Sequence, residues 1–287
     1  MDLSPRRQPP TVRLRRLAAE LRRLRAAGGL TREQVSEQTA INSATLYRIE
    51  TAKVRPQRRT LMALLDKYGV MDESRRVELI ALSQQSNEPG WLQAYESELP
   101  ERYTTYISFE AEARSLRAYE SSFVPGLLQT EDYARATMEG GLPIARDQVG
   151  RRVEARLQRQ AVLSKKKPLK LWAVMDEAVM HRLVGGQKVM AAQLRRLVEA
   201  SNEPHVTVQV LPYAAGAHPG MHGSFSVMDF PDAADPELVY IESMAGDLFL
   251  EREAEVRRYT GIFEHLRATA LNPADSVRLI GDLTETI

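Results

Sequence analysis

The chain has 287 residues, 43% hydrophobic and 27% charged, with a net charge of +1 and no cysteine. That is enough chain for two domains of ordinary globular composition. The lack of cysteine excludes disulfides, cysteine-ligated zinc and thiol catalysis, and it fits a reducing, cytoplasmic setting. No apolar run reaches the roughly 20 residues that a bilayer span needs, and the polar start MDLSPRRQPP is unlike a signal peptide, so no membrane partner is expected. The small net charge hides an asymmetry: residues 1–70 carry 15 Lys and Arg against 6 Asp and Glu, and the remainder carries 24 against 32. A first part at +9 followed by a second at −8 implies that only the first meets a polyanion.

In chain order, residues 1–11 hold Arg6, Arg7 and three prolines and read as a flexible basic arm. Val12 to Ala27 is expected to be a helix, with Leu14, Leu17, Leu21 and Leu24 as one apolar stripe and Arg13, Arg15, Arg16, Arg22, Arg23 and Arg25 around it. Gly28-Gly29 ends it. The stretch LTREQVSEQTAINSATLYRIETAKVRP, Leu30 to Pro56, reads as two short helices joined by a tight turn. Thr31 suits an N-cap, its hydroxyl accepting from the N–H of Gln34, and Asn42 or Ser43 can cap the second helix, about Ser43 to Thr51. Leu46 and Ile49 of that helix face inward, leaving Asn42, Ser43, Ala44, Thr45, Tyr47 and Arg48 on or beside its outer face. Small polar residues at a helix start with an Arg beyond them suit the DNA major groove; the alternative is a helical hairpin whose polar face meets only water. After Pro56, Arg58 to Tyr68 forms a fourth helix on Leu61, Leu64 and Leu65, and Asp72 to Ser86 a fifth with Val77, Ile80 and Leu82. The polar run Gln84 to Gly90 closes on Pro-Gly, which bounds an all-α domain of five helices at 12–86, a linker at 87–90 and a second domain at 91–287.

Between Val12 and Leu82 the chain resembles the helix-turn-helix of the XRE family, through Gln34-Val35-Ser36, Ile41-Asn42-Ser43 and Leu46-Tyr47-Arg48-Ile49-Glu50. That resemblance implies base-reading roles for Asn42, Ser43, Ala44 and Arg48, and contacts to the DNA backbone from Arg32, Thr45, Lys53, Arg55 and Arg58. The chain departs from the family at Ala52, where a Gly usually follows the recognition helix. Ala makes a left-handed cap harder, so a different helix end is expected there.

In the second domain Tyr103 to Glu120 reads as a helix, Pro125-Gly126 as a turn, and Thr130-Glu131-Asp132 as a helix start. Arg146 to Leu163 is a long amphipathic helix with Val149, Val153, Leu157 and Gln160 on one face, followed by a solvated turn at Lys165-Lys166-Lys167-Pro168. Then the periodicity changes. Leu169–Met175, Val206–Leu211, Ser224–Phe230 and Leu238–Glu242 read as strands, Val206, Val208 and Val210 alternating with Thr207 and Gln209. Helices are expected at Asp176–Leu183, at Gln187–Ser201 and, as the last, at Arg252–Leu271 with Val256, Tyr259, Phe263 and Leu266 inward. The mixture is α+β, a small sheet flanked by helices.

The blocks YISFEAEARSLRAYESSFVPGLLQTEDYARA, RRVEARLQRQAVL, WAVMDEAVMHRLVGG and VTVQVLPYAAGAHPGMHGSF resemble those of the DUF5753 domain across roughly residues 90–275. In actinobacterial regulators that domain accompanies an XRE helix-turn-helix. The resemblance implies a regulator of development or secondary metabolism with a small partner protein of the DUF397 type.

No phosphate-cradling Gly loop, nucleophile elbow or HExxH stands in the chain, so catalysis has no candidate residue and no cofactor is expected. His218 and His222 flank Pro219-Gly220-Met221, which makes a loop rather than a helical metal site; no metal is expected. The reading is a sequence-specific, double-stranded-DNA-binding repressor acting as a homodimer, because one small module reads too few base pairs alone. Its second domain serves dimerisation and the small partner. The alternatives are a small-molecule sensor with a pocket near Trp172, Glu177, His218 and His222, and an antitoxin-like autorepressor of its own operon.

Overall fold

The computed structural model describes residues 12–84, 90–95, 97–141, 145–232, 235–244 and 246–287. The expected basic arm at 1–11 and residues 87–89 of the expected linker lie outside the described residues. The chain divides into two compact units, residues 1–93 and 94–287.

The first unit holds five α-helices among its described residues: α1 Val12–Ala27, α2 Arg32–Thr39, α3 Ser43–Glu50, α4 Arg58–Lys67 and α5 Glu73–Gln84. Local chemistry sets the α2–α3 pair. Thr31 caps α2 by accepting from the Gln34 N–H, while the Gln34 side chain accepts from the Thr31 N–H, so two otherwise unmet donors are satisfied together. Asn42 caps α3, its Oδ1 accepting from the Ala44 N–H at 2.8 Å. Ala40 turns the chain between the two helices with φ 57°. Leu17, Leu21, Val35, Leu46, Leu61, Leu64, Leu65 and Leu79 are at most 1% exposed and form one core. On α5 the inward residues are Leu79 and Leu82; Val77, expected in the apolar set, is 57% exposed because it lies outside that stripe.

Helix α3 ends through a left-handed residue after all. Ala52 has φ 54°, and the N–H groups of Ala52, Lys53 and Val54 close back onto the Ile49 and Arg48 carbonyls. The expectation of a different helix end is thereby corrected: the Ala52 methyl is buried at 4% exposure, and that packing offsets the cost of the conformation.

The second unit is built on a mixed sheet whose order is β3-β2-β1-β4-β5-β6. After α6 (Glu101–Glu112) comes the central strand β1 (Ser115–Glu120), then α7 (Glu131–Gly140) and α8 (Arg146–Arg159). Strand β2 (Lys170–Asp176), the short α9 (Glu177–His181), α10 (Gln187–Ala200) and β3 (Val206–Leu211) continue outward, with β1, β2 and β3 mutually parallel. Strands β4 (Phe225–Asp229), β5 (Leu238–Ile241) and β6 (Leu248–Leu250) then extend the other side, each antiparallel to its neighbour. Helices α11 (Glu253–Thr269) and α12 (Pro273–Thr286) complete the chain.

Two expectations are corrected here. The helix expected over Tyr103–Glu120 stops at Glu112, and Ser115–Glu120 is instead the strand at the centre of the sheet. SLRAYE is rich in helix formers, and pairing on both sides overrides that local preference. The last helix is also not α11, since Asn272 caps a further one with Pro273 at its first position. One sheet face carries Tyr119, Val174, Leu211, Phe225, Val227 and Val239 against Val256, Phe263 and Leu266 of α11. On the other face α6 sets Tyr106 at a tilt against Tyr240 and Phe109 edge-on to Phe249, with ring centroids 4.2 and 5.5 Å apart. The start of α12 covers the β3 edge: the Leu271 N–H donates to the Val210 carbonyl and the Val210 N–H to Ser276 Oγ.

Candidate functional site

Helix α3 points Leu46 and Ile49 into the core and turns Asn42, Ala44 and Arg48 to solvent. Ser43 and Thr45 are half-buried; Ser43 Oγ donates to Glu33 at 3.3 Å, and Arg48 Nη2 donates to Thr45 Oγ1 at the same distance. Lys53, Arg55 and Arg58 are exposed on the segment that follows. Arg32 is placed differently from the others. Its Nε donates to Glu50 at 2.8 Å, so its charge is partly neutralised before any phosphate arrives.

Glu50 explains much of the local order. It is 1% exposed at the end of α3 and accepts from both Arg25 and Arg32, while Arg25 Nη1 also donates to the Leu30 carbonyl. The Tyr47 ring, 45% exposed, has Arg32 on it at 5.3 Å and Lys53 at 5.2 Å. The arginines of α1 are largely occupied within the unit: Arg16 binds Glu78, Arg23 binds Glu20, and burial pulls Arg15 down to about 10.

In the second unit, Glu177, His218 and His222 come to the carboxyl edge of the parallel strands. Glu177 accepts from the Tyr213 N–H at 2.7 Å and lies 3.3 Å from His181. His218 reaches Asp176 at 3.4 Å and meets the Tyr119 ring edge-on. His222 lines a cavity of about 210 Å³ with Pro219, Ser224, Phe225, Ile241 and Arg258 among its walls. Trp172 is not brought to this edge. Its Nε1 donates to Gln209 on β3, and Arg267 of α11 covers its ring at 4.7 Å. It sits four residues before Asp176 on β2, about 13 Å back along the strand.

Sequence reasoning missed several chemical groups here. Glu120 ends the overlooked strand; burial, and then Glu242, push it up to about 7 against a hydrogen bond from Ser224. Arg159 and Glu110 form a buried two-bond pair at 2.5 and 2.6 Å, with the Tyr103 hydroxyl 2.8 Å from the same guanidinium. Burial opposes the Arg159 charge, but Glu110 and the two tyrosines Tyr103 and Tyr106 outweigh it and hold Arg159 well above its ordinary value. Arg159 and Arg258 carried no distinguishing signal among the many arginines of their helices.

A buried α2–α3 pair with a polar, basic outer row defines the class: a DNA-binding helix-turn-helix regulator, and a helix-turn-helix domain model matches residues 16–79. The model for the domain of unknown function DUF5753 matches residues 103–282, and the chain belongs to that family. No curated protein and no solved structure matches the chain. No helix among the described residues is long and apolar enough to cross a membrane.

Proposed function

We propose that the chain is a sequence-specific repressor of the XRE type that inserts α3 into the major groove as a homodimer. The observation that carries this is the division of α3, which buries Leu46, Ile49 and Glu50 while it presents Asn42, Ala44 and Arg48 outward. Asn42, Ser43, Ala44 and Arg48 read base edges. Thr45, Lys53, Arg55 and Arg58 hold register on phosphates, and Arg32 contributes a charge it shares with Glu50. Half-sites lie roughly 34 Å apart or a multiple of that. The acidic second unit supplies the dimer contact and docks a small DUF397-type protein; it has no catalytic role. A gel-shift on the chain's own upstream DNA, with salt titrated against a scrambled probe, tests this reading. A specific shift altered by the small partner supports it. Equal binding to both probes that vanishes with salt would reduce the basic unit to an electrostatic patch. A second reading, small-molecule sensing by the second unit, is favoured by the cavity beside His222.

A further inference from the structure

The sheet changes direction of growth once. From β1 the chain adds β2 and β3 on one side, then returns to place β4, β5 and β6 on the other. Where the two sides meet, β1 and β4 run antiparallel with Tyr119 opposite Phe225.

The cavity beside His222 is walled by the first residue of β4, the last of β5 and the middle of α11. Phe225, Ile241, Tyr259 and Ile262 give it an apolar floor, and His222, Ser224 and Arg258 give it a polar mouth. Arg257 and Arg267 of the same helix are paired with Glu253 and Glu264, whereas Arg258 makes no ion pair or side-chain hydrogen bond among the described residues. The same holds for the His222 side chain. The loop that carries His222 is anchored before a ligand arrives. His218 is tied to Asp176, and Gly220 lies so close to Tyr119 that a Cβ there would sit 2.4 Å from Cζ of the ring. At about 210 Å³ the space suits a molecule smaller than a nucleotide cofactor.

We propose that this cavity binds a small organic acid, its apolar body on Phe225, Ile241, Tyr259 and Ile262 and its carboxylate on Arg258 and His222. The assignment rests on the sensing reading and names its ligand class. A guanidinium with no internal partner, set over apolar walls, favours a carboxylate with an apolar body over either a bare anion or a neutral apolar molecule.

Calorimetric titration of the full chain with isovalerate, benzoate and phenylacetate, and with phenylacetamide as the uncharged counterpart, tests the site. Saturable binding of at least one acid is expected, with the amide at least tenfold weaker. Arg258→Gln should cost tenfold or more in affinity, and Arg257→Gln, one position away, should leave it unchanged. Ile262→Trp should fill the space and abolish binding while a thermal melt reports the fold intact. Saturable binding by none of the three acids, an amide that binds as well as the acid, or equal losses from the two arginine variants would each overturn the site. A gel-shift with the bound acid separates the two levels: unchanged DNA affinity removes sensing and leaves the binding site standing.

Discussion

The Arg25 guanidinium and the Glu50 carboxylate meet edge to edge, with Nε 2.5 Å from Oε1 and Nη2 3.1 Å from Oε2. The end of α3 is thereby fixed to the last turn of α1. Glu50→Gln would leave two guanidiniums facing a group that no longer balances them. Because Arg25 is mostly buried and Arg32 half-exposed, the loss should be about 2–4 kcal/mol. Chemical denaturation of the full chain, following the transition of the first unit, measures it.

The two left-handed alanines should respond differently to glycine. Ala40 is exposed at φ 57°, so Ala40→Gly relieves a steric cost and should stabilise by about 0.5–1 kcal/mol after the extra unfolded-state entropy is counted. Ala52 has a similar φ of 54° but a buried methyl, and Ala52→Gly also loses about 0.8 kcal/mol of burial. Its net effect should be close to zero. Equal gains at both positions in thermal melts would show that the Ala52 methyl contributes no packing.

Arg48 is exposed on the outer face of α3 beside Thr45. If it reads a guanine, Arg48→Ala should weaken binding by about 1–3 kcal/mol and relax preference at a single base pair. Binding-site selection with the variant distinguishes this from a phosphate contact, which would weaken every sequence alike.

Gly220→Ala should destabilise the second unit by about 1–3 kcal/mol, since the new methyl meets the fully buried ring of Tyr119. Tyr119→Leu in the same chain should recover part of that loss. A double-mutant cycle with no coupling would mean that the turn moves aside instead.

Glu120 gives a pH signature. Its folded value is raised to about 7 from an ordinary 4.5, so between those values the unfolded chain releases its proton first and stability falls as pH rises. The contribution at pH 7 should be about 1–3 kcal/mol unfavourable relative to pH 4. Glu120→Gln should flatten the stability profile over that window. Identical slopes for the variant and the parent chain would assign the pH dependence to other groups.

What could be read from the sequence follows how local the determining forces are. Thr31, Gln34, Asn42 and the Leu46–Ile49 pair act within a few residues, and the α2–α3 arrangement was legible from them. Val206–Leu211 was legible because its alternation is plain. Ser115–Glu120 was not, because its strand state comes from two partners distant in sequence, while Leu, Arg, Ala and Glu locally favour a helix. The candidate site shows the same division. The Pro-Gly between His218 and His222 marks a loop in the sequence, but the chemistry around the two histidines comes from Asp176, Tyr119 and Arg258, which only the sheet topology brings near. Trp172 shares β2 with Asp176, yet four residues along a strand separate them by about 13 Å.

The position of β1 also bears on how the chain is made. Ser115 pairs with Lys170, 55 positions later, and Tyr119 with Phe225, 106 positions later. The first unit draws its core from residues before 83, so during synthesis it can close while β1 still waits for both neighbours. A chain interrupted before Phe225 would carry a finished helix-turn-helix unit on a central strand with one bare edge, a form open to aggregation and rapid clearance by proteases.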